Sequence, residues 1–502
     1  MDKYTWWERA GFGLMIHWGL YTLLGGEYRG QRTDNLGEWI QRKFNIPLAA
    51  YDQLAARFNP TEFDADQWVS TAKAAHMGYL VVTAKHHEGF CLFRSQADRY
   101  NVVDATPFGR DVIAELSDAC RRGGLKFGVY YSQDLDWHEP DGGGYTMEPG
   151  SNFGMDWCNN ADFPDVAHKD FERCFRKKIL PQVTELMSNY GEISVCWFDC
   201  PCTVTPAQTN ELIELVHRLQ PNCLINSRVG NGLGDYDSFG DNMVPVSPMR
   251  GHYETAATIN DTWGWKKFDT AYKTPEQITG LLRELRQKNV NYLLNVGPEP
   301  SGRLPDRAVE ILCEVGRRID RDPGILYPEP PAPNNDVVLY AADAQIEAGG
   351  AAEPAAAPRT DAEMVAAGAP RLAPAQMLTG WHSTDCTLRW YAAVPKAGRY
   401  RLTIATSALG HSAPWYGGHE ITFQAGGQSL HAVLRGERPD DSVAARYWPQ
   451  AFSDCGALTL PDGPCAFALH ADRIAPPPPG ARDVGLGFMW AKLTPIDQPA
   501  HL

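Results

Sequence analysis

Titratable side chains follow several short apolar segments within residues 1–322. Asp199 comes directly after residues 193–198, a segment rich in β-branched and aromatic side chains. A carboxylate held at that point could act as a nucleophile or stabilise a developing positive charge. Each position alone is weak evidence, but polar groups that gather at one rim of an apolar core indicate an active site. The other segments end in His17-Trp18, in Lys85-His86-His87-Glu88, in Tyr131 with Asp134 and Asp136, and in Asn226-Ser227-Arg228.

Asp199 also has a plain structural interpretation. Aspartate is a common N-cap residue where a strand leads into a helix. The next helix, however, is predicted to begin near Thr205-Pro206, so a capping role fits poorly. The sequence therefore favours a chemical role for this carboxylate.

His86 and His87 have three interpretations. With Glu88 or Asp199 they could bind a metal ion, although adjacent residues of a strand point to opposite faces, which makes a shared ion awkward. As neutral imidazoles they could instead exchange hydrogen bonds with sugar hydroxyls, or they could fill a polar layer of the core. Arg228 is similarly open, since it could form a salt bridge at the rim or hold a neighbouring carboxylate ionised.

These groups need a scaffold that brings strand ends together, and residues 1–322 alternate strand and helix signals. Helices are predicted at about 111–123, 171–188, 207–220 and 275–288, each followed by a buried strand. Eight strands with helical crossovers predict a (β/α)8 TIM-like barrel, whose active site lies at the carboxyl ends of the strands. A doubly wound sheet is the alternative, but no strand leads into the glycine-rich turn of dinucleotide-binding proteins. Six strands are strong, at 13–17, 79–84, 126–131, 193–198, 223–226 and 291–296, and two are weaker, at 236–239 and 254–259.

The composition changes after Arg321. Five prolines predict a Pro-rich linker over residues 323–335. Residues 344–375 are rich in alanine, glycine and proline, which predicts a long loop. Short alternating segments then predict an antiparallel β-sandwich, so residues 336–502 form an accessory domain that is similar to carbohydrate-binding modules in general terms. Such a domain could bind glycan, cover the rim of the barrel, or mediate contacts between subunits.

The composition excludes several classes of partner. The 502-residue chain is 43% apolar and 21% charged, which is typical of a globular protein. Its net charge of −15 argues against nucleic acid and membrane surfaces as partners, and no apolar run approaches the roughly 20 residues that cross a bilayer. The N-terminus lacks the basic region and apolar core of a signal peptide, so we expect a cytoplasmic protein. Its 12 cysteines show no paired C-x-x-C spacing and are then expected as thiols, and we predict no metal ion and no cofactor.

Longer motifs run through residues 5–320. They are Phe12-Gly-Leu-Met-Ile-His-Trp-Gly-Leu-Tyr21, Leu80-Val-Val-Thr-Ala-Lys-His-His-Glu-Gly-Phe90, Phe127-Gly-Val-Tyr-Tyr-Ser132, Trp197-Phe-Asp199 and Leu293-Leu-Asn-Val-Gly297. In these motifs and their order the chain resembles the α-L-fucosidases of glycoside hydrolase family 29. Glu38-Trp-Ile-Gln-Arg-Lys-Phe44 and Ser238-Phe-Gly-Asp-Asn242 are most similar to segments of bacterial α-1,6-fucosidases. The resemblance implies a (β/α)8 barrel and retaining hydrolysis of terminal α-L-fucose, with α-1,6-fucosyl-GlcNAc as the substrate, and it does not extend to the sandwich.

The resemblance also implies roles for single residues. Asp199 matches the position of the family's nucleophile, and a retaining enzyme needs a second carboxyl about 5–5.5 Å away as its acid/base. Asp241 matches the acid/base position of the α-1,6 group, and Glu254 matches that of many other members. We favour Asp241 and expect Glu254 to bind substrate or act electrostatically, with Arg228 helping to keep Asp199 ionised and Asp241 protonated. The resemblance places further fucose contacts at His17, Glu38, Trp39, His86, His87, Tyr131, Trp197 and Arg228.

Three alternatives remain open. The first is an α-L-fucosidase of another linkage preference, α-1,2, α-1,3 or α-1,4. The second is a metal-dependent hydrolase that uses His86-His87 and the strand-end aspartates. The third is a non-catalytic glycan-binding protein that has kept the barrel. In each fucosidase interpretation the partner is a fucosylated oligosaccharide or glycoconjugate, and we expect a homo-oligomer.

Overall fold

The computed structural model describes residues 3–34, 36–329, 334–348, 369–373, 376–407, 415–439, 450–479 and 483–496. The chain divides into two compact units. The first comprises Met1–Asn242 and Arg250–Glu329, and the second comprises Met243–Met249 and Pro330–Leu502. The short segment Met243–Met249 therefore belongs with the C-terminal unit, although it interrupts the sequence of the first.

A curled parallel sheet forms the centre of the first unit. The strands of this unit are β1 (Phe12–Ile16), β2 (Glu27–Tyr28), β3 (Gln31–Arg32), β4 (Tyr79–Lys85), β5 (Lys126–Ser132), β6 (Val195–Asp199), β7 (Leu224–Ile225), β8 (Tyr253–Thr258) and β9 (Val290–Val296). Seven of them pair in the order β7-β6-β5-β4-β1-β9-β8, while β2 and β3 pair with each other. Isolated parallel bridges from Asn226 to Tyr236 and from Asp237 to Tyr253 connect the outer strands β7 and β8. Residues 236–237 thus occupy the eighth position, and the predicted TIM-like barrel is confirmed.

The weak strand predicted at 236–239 is wrong as a strand. The chain turns there instead, because the Asp237 side chain accepts a hydrogen bond from the Phe239 N–H at 2.8 Å and Phe239 has a φ of 46°. The other weak strand, predicted at 254–259, is confirmed as β8, and all six strong strands are present within a few residues of their predicted bounds.

Ten α-helices accompany these strands in the described part of the first unit. The Asp111 side chain caps α5 by accepting from the Ala114 N–H, and Thr205 and Thr274 form capping boxes at the starts of α8 and α9. The helix predicted at 171–188 is α6, a π-helical segment and α7 in succession, because Pro181 has no N–H to continue the α-helical hydrogen bonds. The helices are α1 (Thr5–Ala10), α2 (Ile40–Lys43), α3 (Leu48–Tyr51), α4 (Ala65–Ala74), α5 (Val112–Gly123), α6 (Phe171–Cys174), α7 (Leu180–Asn189), α8 (Pro206–Leu219), α9 (Pro275–Gln287) and α10 (Asp306–Arg321).

Two antiparallel sheets form the second unit and confirm the predicted β-sandwich. Its strands are β10 (Val337–Tyr340), β11 (Gln345–Ala348), β12 (Arg371–Leu372), β13 (Leu378–Trp381), β14 (Cys386–Val394), β15 (Gly398–Ser407), β16 (His419–Ala425), β17 (Gln428–Leu434), β18 (Arg438–Pro439), β19 (Gln450–Leu460), β20 (Gly463–Arg473) and β21 (Leu486–Pro495). One sheet runs β12-β13-β21-β15-β19-β18 with β10 on β21, and the other runs β11-β14-β20-β16-β17. Trp381, Phe423 and Phe488 are buried in the shared core. Val246, from the segment Met243–Met249, packs in a smaller cluster of this unit with Met377 and Met489.

The predicted linker and loop fall partly outside the described residues. Pro323–Ile325 forms a single 3-10 turn, whereas residues 330–333, 349–368 and 374–375 are not among the described residues. The boundaries proposed at 322 and 336 therefore stay predictions. In the described part of the chain, no helix combines the length and the apolar character that crossing a bilayer requires.

Candidate active site

A cavity of about 280 Å³ collects most of the predicted groups at the carboxyl ends of the barrel strands. Ligand pockets commonly enclose about 300–1,000 Å³, so this volume suits a ligand the size of one sugar ring. A larger cavity near Lys126 and Phe127, where β5 begins, holds none of the predicted groups and lies at the end of the barrel that serves stability. The smaller cavity is lined by Met15, His17, Leu36, Glu38, Trp39, His86, His87, Tyr130, Asn152, Phe153, Met155, Trp157, Trp197, Asp199, Cys200, Arg228, Asp241 and Trp263.

Asp199 closes β6, and its carboxylate is held on both oxygens. Oδ1 accepts from Arg228 Nη1 at 2.9 Å, and Oδ2 accepts from the Tyr130 hydroxyl at 2.7 Å. His87 Nε2 lies 3.9 Å from Oδ2, and the backbone N–H of Asp199 donates to Gln133 Oε1 at 2.9 Å. Burial raises the pKa of this carboxyl, but the contacts with Arg228 and with the Tyr130 hydroxyl outweigh burial and bring the pKa below its ordinary value. The carboxylate is therefore ionised and fixed in orientation.

Arg228 joins the two candidate catalytic carboxylates. Its Nη2 donates to Asp241 Oδ1 at 2.7 Å, and its guanidinium lies over the Trp197 ring, 4.7 Å from the centroid. Nη2 also donates to the Phe239 carbonyl at 3.0 Å, which ties the arginine to the loop that carries Asp241. The Asp199 side chain is 12% exposed and the Asp241 side chain 47%. Because one guanidinium contacts both carboxylates, it does not by itself separate their protonation states as the sequence predicted, and the two carboxylates differ chiefly in exposure.

All three predicted histidines line the cavity. His86 and His87 follow the last residue of β4, so strand alternation does not send them to opposite faces, and their ring centroids are 4.0 Å apart. The expectation that they diverge is wrong for that reason. Burial lowers the pKa of His17 to about 4 and of His87 to about 3, and it lowers the pKa of His86 well below its ordinary value. All three are neutral near pH 7 and can exchange hydrogen bonds with hydroxyl groups.

Glu38 supplies a buried carboxyl group to the cavity. Its Oε2 accepts from the Gly264 N–H at 2.8 Å and from the Thr262 hydroxyl at 3.4 Å. Its Oε1 is buried and has no hydrogen-bond partner among the described residues. Burial raises the pKa of Glu38 to about 7. Trp39, the next residue, packs edge-on against His87 and completes an apolar side of the wall.

Glu254 lies beneath the cavity and not in it. Its carboxylate accepts from the Tyr79 hydroxyl at 2.6 Å, from Trp197 Nε1 at 3.0 Å and from the Tyr236 hydroxyl at 3.2 Å. The side chain is fully buried, and the cavity lining does not include it. Of the two roles expected for Glu254, substrate binding and an electrostatic effect, the structure does not bring its carboxylate into the cavity for the first, and its contacts make it a support for the Trp197 ring.

Tyr131 also lies outside the cavity, and Tyr130 takes its place. The Tyr131 hydroxyl donates to Gln182 Oε1 at 2.7 Å, on the outer side of β5. The register of β5 against β6 pairs Tyr130 with Trp197 and Tyr131 with Phe198. Since Trp197 faces the cavity, Tyr130 shares its side of the sheet. Side chains alternate between the two faces of a strand, so the sequence indicates that only one of the two tyrosines faces the cavity. Which tyrosine does so depends on the register between the strands, and the sequence does not show that register.

The sequence grouped three further strand-end carboxylates with the site. In the structure they make contacts that stabilise the fold instead. Asp136 is buried between Lys85 Nζ at 3.0 Å and Lys178 Nζ at 2.8 Å. Asp134 accepts backbone N–H groups from the loop that follows β6. Glu88 accepts from the backbone N–H that follows Gly19, and it is not part of a metal site with the histidines.

Several cavity residues were not predicted. Met15 lies two residues before His17 on β1, and that spacing was an available signal for a shared face. Trp263, Phe153 and Cys200 come from loops, whose positions no local pattern reveals. Among the described residues, Cys200 also forms part of a group with His87 and Asp199 whose ligand atoms lie within 4.8 Å of one another.

Comparisons with known proteins point to one family. The family model described as alpha-L-fucosidase matches residues 1–322. The α-L-fucosidase AlfC from Lactobacillus casei is 53% identical, covers 64% of this chain and 99% of its own, and superposes with a TM-score of 0.62. The α-L-fucosidase from Vibrio sp. strain EJY3 is 26% identical, covers 98% of both chains and has a TM-score of 0.75. The putative α-L-fucosidase of Caenorhabditis elegans is 25% identical over 341 residues, and the chain spans 65% of that protein's length. The chain thus belongs to the α-L-fucosidase family, glycoside hydrolase family 29.

Proposed function

We propose that this protein is a retaining exo-α-L-fucosidase that releases terminal L-fucose from α-1,6-fucosyl-GlcNAc glycans. The observation that carries the proposal is the pair of carboxylates, Asp199 and Asp241, on the Arg228 guanidinium. One carboxylate is buried, ionised and fixed, while the other is half exposed at the cavity mouth. A nucleophile and an acid/base require this difference in environment.

The two carboxylates divide a double displacement between them. In the first step Asp199 attacks the anomeric carbon from the β face while Asp241 protonates the glycosidic oxygen, which leaves as the acceptor alcohol. In the second step Asp241 removes a proton from water, which attacks the β-fucosyl-enzyme and frees α-L-fucose and the Asp199 carboxylate. Carboxyl groups of retaining pairs lie about 5–5.5 Å apart, and two carboxylates that share one guanidinium are compatible with that spacing.

Polar atoms of the inner wall suit the sugar hydroxyls. Asn295 Nδ2 donates to the Trp263 carbonyl at 2.8 Å, so its Oδ1 accepts from His17 Nδ1 at 2.7 Å and leaves His17 Nε2 as an acceptor. Glu38 Oε1 and His86 Nδ1 are buried without a partner among the described residues. Buried polar atoms are destabilising unless hydrogen-bonded, and hydroxyl groups entering the cavity supply the missing partners.

The apolar part of the cavity suits the methyl group at C5 of fucose. Met15, Trp197 and Trp263 line it with a thioether and two indole rings. Apolar contact of this kind favours a 6-deoxy sugar over one whose C6 carries a hydroxyl, because that hydroxyl would lose its hydrogen bonds to water.

The α-1,6 linkage is proposed from a relative and from the cavity mouth. A variant of AlfC, 51% identical over 64% of this chain, is described in complex with Fucα(1,6)GlcNAc. In the present structure Phe153 is 81% exposed at the mouth and Trp157 lines the same side. Aromatic faces beside the leaving group provide a surface on which a GlcNAc ring can stack.

Glu38 is the second candidate for the acid/base. Its pKa of about 7 would keep a proton available near neutral pH. Its Oε2, however, is tied to the Gly264 N–H inside the wall, whereas the leaving group departs toward the mouth, where Asp241 lies. The geometry therefore favours Asp241 as the acid/base and Glu38 as a sugar ligand.

Azide rescue assigns both roles by stereochemistry. With an activated aryl α-L-fucoside, Asp199→Gly in azide is expected to give β-L-fucosyl azide, because azide replaces the nucleophile. Asp241→Gly is expected to give α-L-fucosyl azide, because azide then attacks the fucosyl-enzyme. Glu38→Gly serves as the control and is expected to give neither azide. Wild-type turnover in Asp199→Gly would refute the nucleophile, and α-azide from Glu38→Gly alone would move the acid/base role to that residue.

A panel of α-1,2, α-1,3, α-1,4 and α-1,6 fucosides tests the linkage by release of L-fucose. We expect the α-1,6 disaccharide with GlcNAc to give the highest kcat/KM. Faster release from another isomer would contradict the linkage proposal while leaving the fucosidase intact. Binding of fucose without any release would support a non-catalytic protein instead.

A further inference from the structure

A thiol, an imidazole and the proposed nucleophile meet at one edge of the cavity. Cys200 Sγ lies 3.7 Å from His87 Nε2, and the same nitrogen lies 3.9 Å from Asp199 Oδ2. All three ligand atoms fall within 4.8 Å of one another. Ligand atoms around a tetrahedral zinc ion are about 3.5 Å apart, as its bonds of about 2.0–2.3 Å require. The three atoms are therefore spaced for one shared ion after a small contraction.

The tautomer of His87 leaves the correct nitrogen free. The Ser132 hydroxyl donates to the Leu135 carbonyl at 2.8 Å, so its oxygen accepts the hydrogen of His87 Nδ1 at 2.7 Å. A hydrogen on Nδ1 puts the lone pair on Nε2, which is the nitrogen that faces Cys200 and Asp199. Metal-binding histidines are oriented by this kind of outer hydrogen bond.

The backbone also presents Cys200 to the cavity. Its φ of 53° lies in the left-handed region, which residues with a Cβ adopt infrequently. In this conformation the half-buried thiol lies beside His87 and lines the cavity, so a dissolved ion can reach it. Arg228 binds Asp199 through Oδ1, and Oδ2 accepts one hydrogen bond, from Tyr130, so a second lone pair of Oδ2 remains for a metal.

We propose that Cys200, His87 and Asp199 bind a thiophilic divalent cation such as Zn²⁺, and that the bound ion blocks the enzyme by occupying its nucleophile. On binding, the Cys200 thiol releases its proton to solvent and bonds the metal as a thiolate. Sulfur and nitrogen ligands select such ions over Mg²⁺ and Ca²⁺, which prefer oxygen. The binding site stands on the geometry alone, and only the inhibition rests on the proposed fucosidase activity.

Cobalt spectroscopy and zinc inhibition test the proposal separately. Co²⁺ added to metal-free full-length protein is expected to give a thiolate-to-cobalt charge-transfer band that Cys200→Ser and His87→Gln both abolish. Cys202→Ser, which removes a half-buried thiol two residues away, is the matched control and is expected to keep the band. Zn²⁺ is expected to inhibit aryl fucoside hydrolysis at least tenfold more weakly in Cys200→Ser than in Cys202→Ser, each compared with its own metal-free rate.

Two outcomes would overturn the site. A cobalt band that persists in Cys200→Ser would show that another thiol binds the metal, and equal zinc inhibition of the two serine variants would show that the metal acts elsewhere. If Cys200→Ser fails to fold, His87→Gln decides: loss of the cobalt band in this variant supports the site, and a persistent band refutes it. If the wild-type protein hydrolyses no fucoside, the cobalt spectra still test the metal site, and the fucosidase proposal fails by itself.

Discussion

The hydroxyl of Tyr130 offers a direct test of how the barrel prepares Asp199. It donates to Asp199 Oδ2 at 2.7 Å, inside a stack in which the Tyr130 ring lies nearly parallel to the rings of His86 and Trp197. Tyr130→Phe removes this donor and keeps the ring, so the stack and the cavity shape should persist. The variant thus isolates one hydrogen bond to an ionised carboxylate.

The magnitude follows from the charge on the acceptor. A hydrogen bond to a charged group contributes about 1.5–3 kcal/mol, and one pKa unit corresponds to about 1.4 kcal/mol. Tyr130 is one of the contacts that bring the pKa of Asp199 below its ordinary value, so its loss raises that pKa. As the proposed nucleophile, Asp199 must be ionised to attack. The acidic limb of kcat/KM against pH is therefore expected to move to higher pH.

Tyr131→Phe is the matched control for this measurement. It removes the same atom from the adjacent residue, but that hydroxyl donates to Gln182 outside the cavity. The assay is kcat/KM for an aryl α-L-fucoside across the acidic limb in both variants, with the melting temperature as a check on folding. An unmoved limb in Tyr130→Phe, or equal shifts in the two variants, would refute the assignment of Tyr130 as the residue that keeps Asp199 ionised.

Three further predictions follow from the structure. Glu254→Gln is expected to lower the free energy of unfolding in urea by about 1–3 kcal/mol, because the carboxylate accepts three buried hydrogen bonds. The variant is also expected to show no azide rescue, since Glu254 lies below the cavity. Azide products from this variant would contradict its structural role. Asp136→Asn is expected to cost about 3–5 kcal/mol, because it leaves Lys85 buried without its counter-charge and Lys178 with Asp98 alone. An unchanged unfolding midpoint would argue against a buried ion pair. Dialysis against EDTA is expected to leave fucoside hydrolysis unchanged or slightly raised, because the proposed catalysis uses carboxylates and the proposed metal only inhibits. Loss of activity that zinc restores would instead favour the metal-dependent hydrolase.

The sequence predicted the barrel well, because most strands are short buried apolar runs and several helices carry their own start signals. Capping residues such as Asp111 and Thr205 mark helix starts locally, and a parallel sheet buried on both faces leaves continuous apolar segments. The strand predicted at the eighth position is wrong because only two residues, Tyr236 and Asp237, pair there. A pairing this short depends on the neighbouring strands and produces no recognisable pattern in the sequence.

Within the site, the sequence could place residues that depend on local signals. Asp199 could be placed at the rim of the barrel because it directly follows a buried strand segment. Choosing between Tyr130 and Tyr131 required the register between β5 and β6, and placing Glu254 beneath the cavity required knowing which side of β8 faces the barrel interior. The position of the Cys200 thiol depends on a left-handed backbone conformation that no local sequence pattern predicts.

The shared guanidinium bears on the different roles proposed for the two carboxylates. The Asp199 carboxylate has the Tyr130 hydroxyl as well as Arg228, while Asp241 has Arg228 as its hydrogen-bond partner among the described residues and is nearly half exposed. A sugar that enters between them can therefore displace Asp241 from the arginine at lower cost than it can displace Asp199. In the proposed mechanism the displaced carboxyl loses its counter-charge where the glycosidic oxygen needs a proton, whereas Asp199 keeps its own. Contact with the substrate thus distinguishes the two carboxylates, which Arg228 alone does not.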